Sequence, residues 1–164
     1  QILLTRMVET NEVMNFNAKN TINDLLEMGV VPIVNENDSV SYTEIESNDR
    51  LFGDNDMLSS VVAVLCRASK LVIFSDIDGF YNCDPRLHPD AKLIEEIDKI
   101  DDEVYKLAGG AGSRRGTGGM RTKLQAAALA TSQGIDTIIT NGKNPAALYD
   151  IIEGVPVGTK FKAQ

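Results

Sequence analysis

The chain has 164 residues, 43% of them hydrophobic, which suits one globular domain with a buried core. Its 16 basic and 24 acidic residues give a net charge of -8, which argues against nonspecific binding to nucleic acid. No apolar run is long enough to span a membrane and no N-terminal signal pattern is present, so we expect a cytoplasmic protein that does not bind membranes.

The N-terminal part of the chain is predicted to form a strand, a helix and a second strand. Residues 2–5 are a short apolar run typical of a buried strand. Residues 15–28 are predicted to be a helix that ends at Gly29, and its apolar face consists of Phe16, Ile22, Leu25, Leu26 and Met28. Residues 30–34 are rich in β-branched side chains, and Pro32 suits the start or the edge of a strand.

A run of polar residues follows the second predicted strand and consists of Asn35, Glu36, Asn37, Asp38 and Ser39. Ligands of open α/β sheets bind at the carboxyl ends of the strands, so this run is a candidate binding site. It could hold an amine, or a carboxylate through its amide donors, or it could be a solvated turn. Residues 41–50 are polar and predict an exposed hairpin or flap.

A second polar cluster, Gly53-Asp54-Asn55-Asp56, precedes an apolar stretch that predicts a helix over residues 57–65. Aspartate and asparagine are preferred helix caps, so capping explains one of these side chains. Two neighbouring carboxylates and an amide exceed what a cap requires, because adjacent like charges are costly without a counter-ion. The cluster is therefore a second candidate site.

The C-terminal half continues the alternation of strands and helices. Residues 70–74 predict a central, parallel strand that ends at Ser75-Asp76, and the following Asp-x-Asp-Gly favours a turn over a calcium loop. Residues 97–107 are amphipathic, and strand, helix and strand are then predicted over 134–140, 145–152 and 158–161. This alternation predicts a single α/β domain over residues 1–164, a three-layer α/β/α sandwich with an open, mainly parallel sheet. Neither the two cysteines nor the single histidine forms a metal-binding pattern, so no residue is assigned as a metal ligand.

A glycine-rich stretch over residues 109–123 leads into a predicted helix that begins near Lys123. A glycine loop at a helix N-terminus presents unpaired N–H groups to an anion, and Lys123 could reach a bound phosphate. The P-loop pattern does not match, because Thr122 precedes the lysine instead of following it. The stretch is either a phosphate site or a mobile surface linker.

Four of these segments together resemble the amino acid kinase family, and within it the members that phosphorylate glutamate. They are residues 31–38, Gly53-Asp54-Asn55-Asp56, Ser75-Asp76 and Gly116-Thr117-Gly118-Gly119-Met120-Arg121-Thr122-Lys123. The resemblance implies an α/β/α sandwich and transfer of the γ-phosphoryl group of ATP, with Mg²⁺, to the γ-carboxylate of L-glutamate in the first step of proline synthesis. Such chemistry depends on positioning and charge neutralisation more than on a covalent nucleophile.

The resemblance also implies roles for individual residues. Lys123 would balance charge on the transferring phosphoryl group, and Asp56 would orient such lysines. Glutamate would be bound by a set of side chains near the two polar clusters, namely Asp38, Asn55, Asn35 and Asn37. The ATP site would consist of Ser75, Asp76, Thr117, Gly118, Gly119, Met120, Arg121, Thr122 and Lys123, with residues 117–123 forming a loop on the phosphate side.

Two departures from the family pattern qualify these expectations. The segment between Asp38 and Gly53 is longer and more acidic than expected. The family's N-terminal Gly-Lys phosphate loop and first glutamate-binding loop lie upstream of Gln1, and the RNA-modification-like PUA domain of many members does not follow residue 161. We therefore expect the chain to be the later part of a kinase domain that is close to inactive alone.

Several alternatives and partners remain open. A sibling aspartate, N-acetylglutamate or uridylate kinase would share the fold and the chemistry, and a noncatalytic module that senses proline or nucleotide would share the fold alone. A structural protein with incidental polar loops is the least favoured reading, because it leaves three polar clusters at element ends unexplained. The family resemblance also implies a homo-oligomer, feedback inhibition by proline and hand-over of the labile product to glutamyl phosphate reductase.

Overall fold

The computed structural model of the protein describes residues 1–40, 55–108 and 117–164. These residues form two compact units, Gln1–Ala68 and Ser69–Gln164. The predicted flap over 41–50, the pair Gly53-Asp54 and residues 109–116 of the glycine-rich stretch lie outside the described residues. No helix in the described part of the chain is long and apolar enough to cross a membrane.

In the described part of the first unit, two helices connect two strands, and a third helix follows. Its described elements are β1 (Ile2–Leu4), α1 (Met7–Thr10), α2 (Glu12–Glu27), β2 (Val34–Glu36) and α3 (Asn55–Leu65). Strands β1 and β2 pair in parallel, with Ile2 opposite Val34. The side-chain oxygen of Asn11 accepts a hydrogen bond from the Met14 N–H and so caps α2, and Gly29 ends the helix with a φ of 73°.

Two predictions for this unit are wrong in their details. Helix α2 begins at Glu12, three residues before the predicted start, because Asn11 supplies the cap. Strand β2 begins at Val34, after Pro32, because proline has no N–H to donate to a strand ladder. Asn35 therefore lies inside the strand, whereas Asn37 and Asp38 follow it as predicted.

The second unit contains a four-stranded sheet with helices. Its described elements are β3 (Lys70–Ser75), β4 (Glu96–Ile97), α4 (Asp102–Ala108), α5 (Thr117–Ser132), β5 (Asp136–Asn141), α6 (Ala147–Glu153) and β6 (Thr159–Phe161). The strand order is β3-β5-β6-β4, and the β3–β5 and β4–β6 pairs are parallel. Strand β6 runs antiparallel to β5, so the sheet is mainly but not entirely parallel.

Among the described strands, β3 lies at one end of this four-stranded sheet, so the prediction of a central strand is wrong for the described residues. Its apolar side chains are not equally buried: Leu71 and Ile73 are buried, whereas Phe74 is 39% exposed. A continuous apolar run is typical of a strand covered on both faces, but it does not tell which strands lie beside it. The parallel pairing predicted for β3 is confirmed by its register with β5, in which Ser75 lies opposite Asn141.

Helix α5 contains the largest cluster of buried side chains on any helix of the second unit. Leu124, Ala126, Ala127 and Ala130 are fully buried, and α5 packs on β5 and contacts α4. Residues 120, 124, 127 and 131 recur at helical spacing on one face of α5, and this face is buried except at Met120, which is half-buried. This packing holds the first turns of α5 in a defined place relative to the sheet of the same unit.

Candidate functional site

A cleft of about 210 Å³ lies at the carboxyl end of β3 in the second unit. It brings together the end of β3, the loop that follows and the first two turns of α5, and its lining consists of Ser75, Asp76, Ile77, Arg86, Gly119, Met120 and Lys123. Five of these residues are among the predicted ATP-binding residues, and they come from segments more than forty positions apart in sequence. The carboxyl end of a parallel strand is where ligands bind in open α/β sheets.

The β3 side of the cleft is held by hydrogen bonds of Ser75. Its hydroxyl group donates to Asp76 Oδ1 over 3.2 Å, and its backbone carbonyl accepts from the Gly142 N–H over 2.8 Å. The second bond ties the end of β3 to the turn after β5. Asp76 therefore presents its carboxylate next to a strand end that is tied to the turn after β5.

On the α5 side of the cleft, the prediction of a loop over residues 117–123 is wrong. Residues 117–123 begin a regular helix instead of forming a loop, and the Thr122 hydroxyl donates to the Gly119 carbonyl over 3.0 Å within it. A loop was predicted because glycine is a poor helix former: each glycine makes a helix less stable by about 1 kcal/mol relative to alanine. The burial of the later turns of α5 supplies the missing stability.

Gly119 has no structural need to be glycine. Among the described residues, no heavy atom beyond the neighbouring backbone lies within 4 Å of the point where its Cβ would stand, and its φ is not positive. Packing would therefore accept alanine, which would also favour the helix. A glycine at such a position would allow a ligand to approach the backbone closely.

The turn after β3 is anchored by the side chain of Asp78. Its Oδ1 accepts from the Asn141 amide over 2.7 Å, and its Oδ2 accepts from the Tyr81 hydroxyl over 3.2 Å. Partial burial and the neighbouring Asp78 carboxylate raise the pKa of Tyr81. The Tyr81 hydroxyl therefore stays protonated and acts as a donor at neutral pH.

Hydrogen bonds of Thr159 and the close packing of Gly158 also hold this turn. The buried Thr159 hydroxyl oxygen accepts from the Phe80 N–H over 2.7 Å, and the hydroxyl donates to the Ile94 carbonyl over 2.6 Å. Gly158, with a φ of 66°, lies so close to the Ile139 carbonyl that no Cβ would fit. These contacts connect β6 to the loop that leads into the cleft.

Arg86 is a cleft residue that the sequence analysis missed. Its Nε lies 3.7 Å from Asp84 Oδ1, and its backbone N–H donates to the same oxygen over 2.9 Å. The sequence contained a signal that could have identified Arg86. It is a basic residue next to Pro85, in the loop that follows the predicted strand and the predicted ATP-site residues Ser75 and Asp76.

The predicted ATP-site residues are not all at the cleft. Arg121 and Thr122 lie on α5 but do not line the cleft, and Thr117 and Gly118 are the first residues of that helix. The predicted glutamate-binding residues and Asp56 all belong to the first unit. There Asn37 Oδ1 accepts from the Ser39 hydroxyl over 2.7 Å, while Asn35 and Asp38 are exposed.

Asn55 and Asp56 are the first two residues of α3, which contacts β2 within the first unit. The capping cluster predicted from sequence therefore coincides with the start of a helix. The Asp56 backbone carbonyl accepts from the Ser59 hydroxyl over 2.6 Å. No group of three or more histidine, cysteine, aspartate or glutamate side chains placed to hold a metal occurs within residues 1–40, 55–108 and 117–164.

Comparison with known proteins identifies the family. The sequence profile of the amino acid kinase family matches residues 1–141, and the chain belongs to that family. Proteins named glutamate 5-kinase are similar over the whole chain: that of Clostridium perfringens is 55% identical and that of Listeria innocua 48% identical. The chain spans 61% and 59% of the length of these two relatives.

Solved structures share the fold at low sequence identity. UMP kinase from Bacillus anthracis superposes with a TM-score of 0.62 at 16% identity, over 89% of this chain and 51% of that one. Isopentenyl phosphate kinase from T. acidophilum gives a TM-score of 0.58 at 21% identity, over 87% and 52% of the two chains. The predicted α/β class with a mainly parallel sheet is confirmed.

Proposed function

We propose that this chain is the later part of a single kinase domain that transfers the γ-phosphoryl group of ATP to the γ-carboxylate of L-glutamate. The product would be L-glutamyl 5-phosphate, the first intermediate of proline biosynthesis. The names and the 55% and 48% identities of the two relatives support this substrate and reaction. The observation that carries the proposal is the cleft, where Lys123 and Gly119 of α5 meet Ser75 at the end of β3 and the Asp76 that follows it.

The cleft suits the phosphate part of a nucleotide. Sites for drug-sized ligands have volumes of about 300–1,000 Å³, so a cleft of about 210 Å³ takes part of such a ligand. Lys123 and Arg86 supply positive charge to the cleft, where Asp76 is a lining carboxylate and Asp84 pairs with Arg86. The positive end of the α5 dipole adds to their attraction for an anion.

In the proposed reaction, Lys123 neutralises charge on the phosphoryl group as it moves between ATP and glutamate. The acceptor carboxylate is already ionised at neutral pH, so the reaction needs no general base. Asp56 is proposed to orient the lysines, and glutamate is proposed to bind to side chains of the first unit, namely Asp38, Asn55, Asn35 and Asn37. Catalysis then consists of positioning and electrostatic stabilisation.

Magnesium fits this site as an ion carried by the nucleotide. Mg²⁺ in kinases is bound through one or two carboxylates together with substrate phosphates and water, and does not need an all-protein cage. Asp76 is the carboxylate that lines the cleft, and it would hold the ion there. The ion would neutralise phosphate charge when bound.

The experiment is a hydroxylamine-trapping assay on the full-length protein with MgATP, offering L-glutamate, aspartate and N-acetylglutamate separately. We expect hydroxamate from glutamate alone. Lys123→Ala should lower the rate about 100- to 1,000-fold, the usual cost of one electrostatic donor. Lys99→Ala, which removes an exposed lysine of the same unit, should keep the wild-type rate.

The other outcomes discriminate among the alternatives. Hydroxamate from aspartate or N-acetylglutamate alone would assign the protein to a sibling kinase. No hydroxamate from any of the three would overturn the acyl-phosphate reaction and leave a uridylate-type kinase or a sensing module. A wild-type rate in Lys123→Ala would remove that residue from the mechanism.

The proposal extends to the setting of the enzyme. We propose that it acts in the cytoplasm as a homo-oligomer, that proline inhibits it, and that glutamyl phosphate reductase receives its product. The lability of an acyl phosphate supports the last of these, because a product that hydrolyses in water is best consumed close to where it forms.

A further inference from the structure

We propose that Asp78 and Asn141 are positioning residues of the proposed ATP site, and that the hydrogen bond between them fixes the loop in which Asp76 lies. The inference rests on the proposed function, since it concerns the shape of the same site. In the described part of the chain neither residue lines the cleft, and neither is a predicted site residue. Asp78 is the second aspartate of the Asp-x-Asp-Gly sequence, and the proposed reaction gives it no other role.

The first argument is that Asp78 and Asn141 close a short loop at the end of β3. Ser75, the last residue of β3, lies opposite Asn141 in the strand register, and its carbonyl accepts from the N–H of the residue after Asn141 over 2.8 Å. Three residues later, Asp78 Oδ1 accepts from the Asn141 side-chain amide over 2.7 Å. The two residues of the loop, Asp76 and Ile77, both line the cleft. The loop is therefore tied to the end of β5 at its start and at its end.

The second argument is that position 141 needs an amide. The Asn141 side-chain nitrogen donates to Asp78, and the side-chain oxygen accepts from the Lys143 N–H over 3.0 Å. An ionised aspartate could accept from Lys143 but has no hydrogen to donate to Asp78. Asn141 thus serves as donor and acceptor at once, and these two bonds set the direction of its amide group.

A carboxylate at position 78 likewise serves two donors. Its Oδ1 accepts from Asn141, and its Oδ2 accepts from the Tyr81 hydroxyl over 3.2 Å. Tyr81 forms an antiparallel bridge with Leu93, through which the chain returns toward β4. Asp78 therefore connects the end of β5 to both ends of the turn that follows the cleft residues.

Stability alone explains this pair less well. Asp78 is exposed and Asn141 is half-buried, so water competes for their hydrogen bond and its net contribution to stability is small. The buried Thr159 hydroxyl already accepts from the Phe80 N–H and holds the same turn. We therefore expect loss of the pair to change the cleft more than the stability of the fold.

The test uses three variants of the full-length protein. Asn141→Asp adds a negative charge and sets two carboxylates against each other, whereas Asp78→Ala removes a negative charge. The exchange variant combines Asp78→Asn with Asn141→Asp and so keeps the net charge of the wild type. In it the new asparagine can donate to the new aspartate and still accept from Tyr81.

The matched control is Asn144→Asp, which adds the same charge three residues further along the chain. The Asn144 side-chain oxygen accepts from the Ala146 N–H over 3.2 Å, and an aspartate can accept in the same way. The measurements are the Kd for MgATP by isothermal titration calorimetry, the KM values for MgATP and L-glutamate, and thermal unfolding without ligand.

We expect Asn141→Asp and Asp78→Ala each to raise the Kd and the KM for MgATP about tenfold, because a displaced loop no longer holds Asp76 in place. A simple effect of charge on ATP binding would have opposite signs in these two variants. The KM for L-glutamate should not change, because the residues proposed to bind it belong to the first unit. The exchange variant and Asn144→Asp should bind MgATP as the wild type does.

A merely structural role would give a different result. It would lower the melting temperature and the fraction of active protein, and so reduce kcat while leaving both KM values unchanged. If Asn141→Asp does not fold, Asp78→Ala takes its place, because that variant adds no repulsion between carboxylates.

The remaining outcomes separate the inference from the function on which it rests. A wild-type Kd for MgATP in both single variants, or shifts of opposite sign, would overturn the positioning role while the kinase assignment stands. A loss that the exchange variant does not recover, in folding or in binding, would also overturn it, because the bond would not be the cause. If the wild-type protein does not bind MgATP, the proposed function fails and the inference fails with it.

Discussion

Helices α2 and α5 are both 16 residues long, yet they bury their apolar residues to different extents. In α5, Leu124 and Ala127 are fully buried against the rest of the second unit. In α2, Ile22 is buried, whereas Phe16 is 63% exposed and Leu26 is 48% exposed. The apolar periodicity of a helix shows which face can be buried, but the elements around it decide how much is buried.

The two helices also differ in what holds them. Helix α2 has a local cap from Asn11 and ends in a glycine turn, both encoded within a few residues. Helix α5 begins with the unfavourable sequence Thr117-Gly118-Gly119 and depends on packing against β5. The region that carries the candidate ATP site is therefore stabilised chiefly by tertiary contacts, and the following predictions test that difference.

The largest effect is expected for Leu124→Ala. Loss of a fully buried leucine should lower the free energy of unfolding by about 2–5 kcal/mol, because a cavity remains in the core. The matched change Leu26→Ala should cost about 1 kcal/mol or less, since that side chain is half exposed. Urea denaturation of the full-length protein measures both, and equal losses would contradict the comparison.

A smaller effect is expected for Thr159→Val. The substitution keeps the shape but leaves the buried Phe80 N–H without its acceptor, which should cost about 1–3 kcal/mol. Its control is Thr137→Val on the neighbouring strand β5, where the buried hydroxyl oxygen has no hydrogen-bond partner within the described residues. That variant should be neutral or more stable, and a loss as large as that of Thr159→Val would contradict the hydrogen-bond explanation.

The smallest effect is expected for Asp136→Asn. Asp136 Oδ2 lies 2.8 Å from Lys160 Nζ, and Asp136 Oδ1 accepts from the Ala163 N–H over 2.9 Å. Partial burial raises the pKa of Asp136, but these two bonds and the charges of Lys160 and Lys70 outweigh it and hold the pKa below its ordinary value of 3.8. We expect the substitution to cost about 0.5–1 kcal/mol at neutral pH, because the pair is partly exposed.

The sign of the pH dependence follows from the lowered pKa of Asp136. The carboxylate stabilises the folded state above its ordinary pKa, and this contribution is lost as the pH falls through the lowered value. The stability difference between the wild type and Asp136→Asn should therefore disappear in acid. Glu9→Gln, which removes the exposed ion pair with Arg6 in the first unit, should change stability less at every pH. A wild-type advantage that persists below the lowered pKa would argue against this account.

Local signals in the sequence were enough to find most elements of the fold. The continuous apolar run over 70–74 predicted β3, and the helix formers after Lys123 predicted the later turns of α5. The starts of α2 and β2 were predicted wrongly because local signals, the Asn11 cap and Pro32, were given too little weight. Two other wrong predictions arose where distant contacts decided the structure. Residues 117–123 are helical despite their glycines because the rest of α5 is buried. The local sequence of β3 does not encode that β5 is the one described strand paired with it, which places β3 at the end of the described sheet.

By itself, the sequence determined the residue types of the candidate site and the ends of elements at which they lie. Ser75 and Asp76 lie at the end of a strand and Lys123 lies in the first turns of a helix because strand propensity, helix propensity and turn chemistry act over a few residues. Only the tertiary structure decided that these residues share one cleft and that Arg86 joins them. That arrangement depends on the pairing of β3 with β5 and on the packing of α5, contacts between segments far apart in the chain that local propensity does not encode.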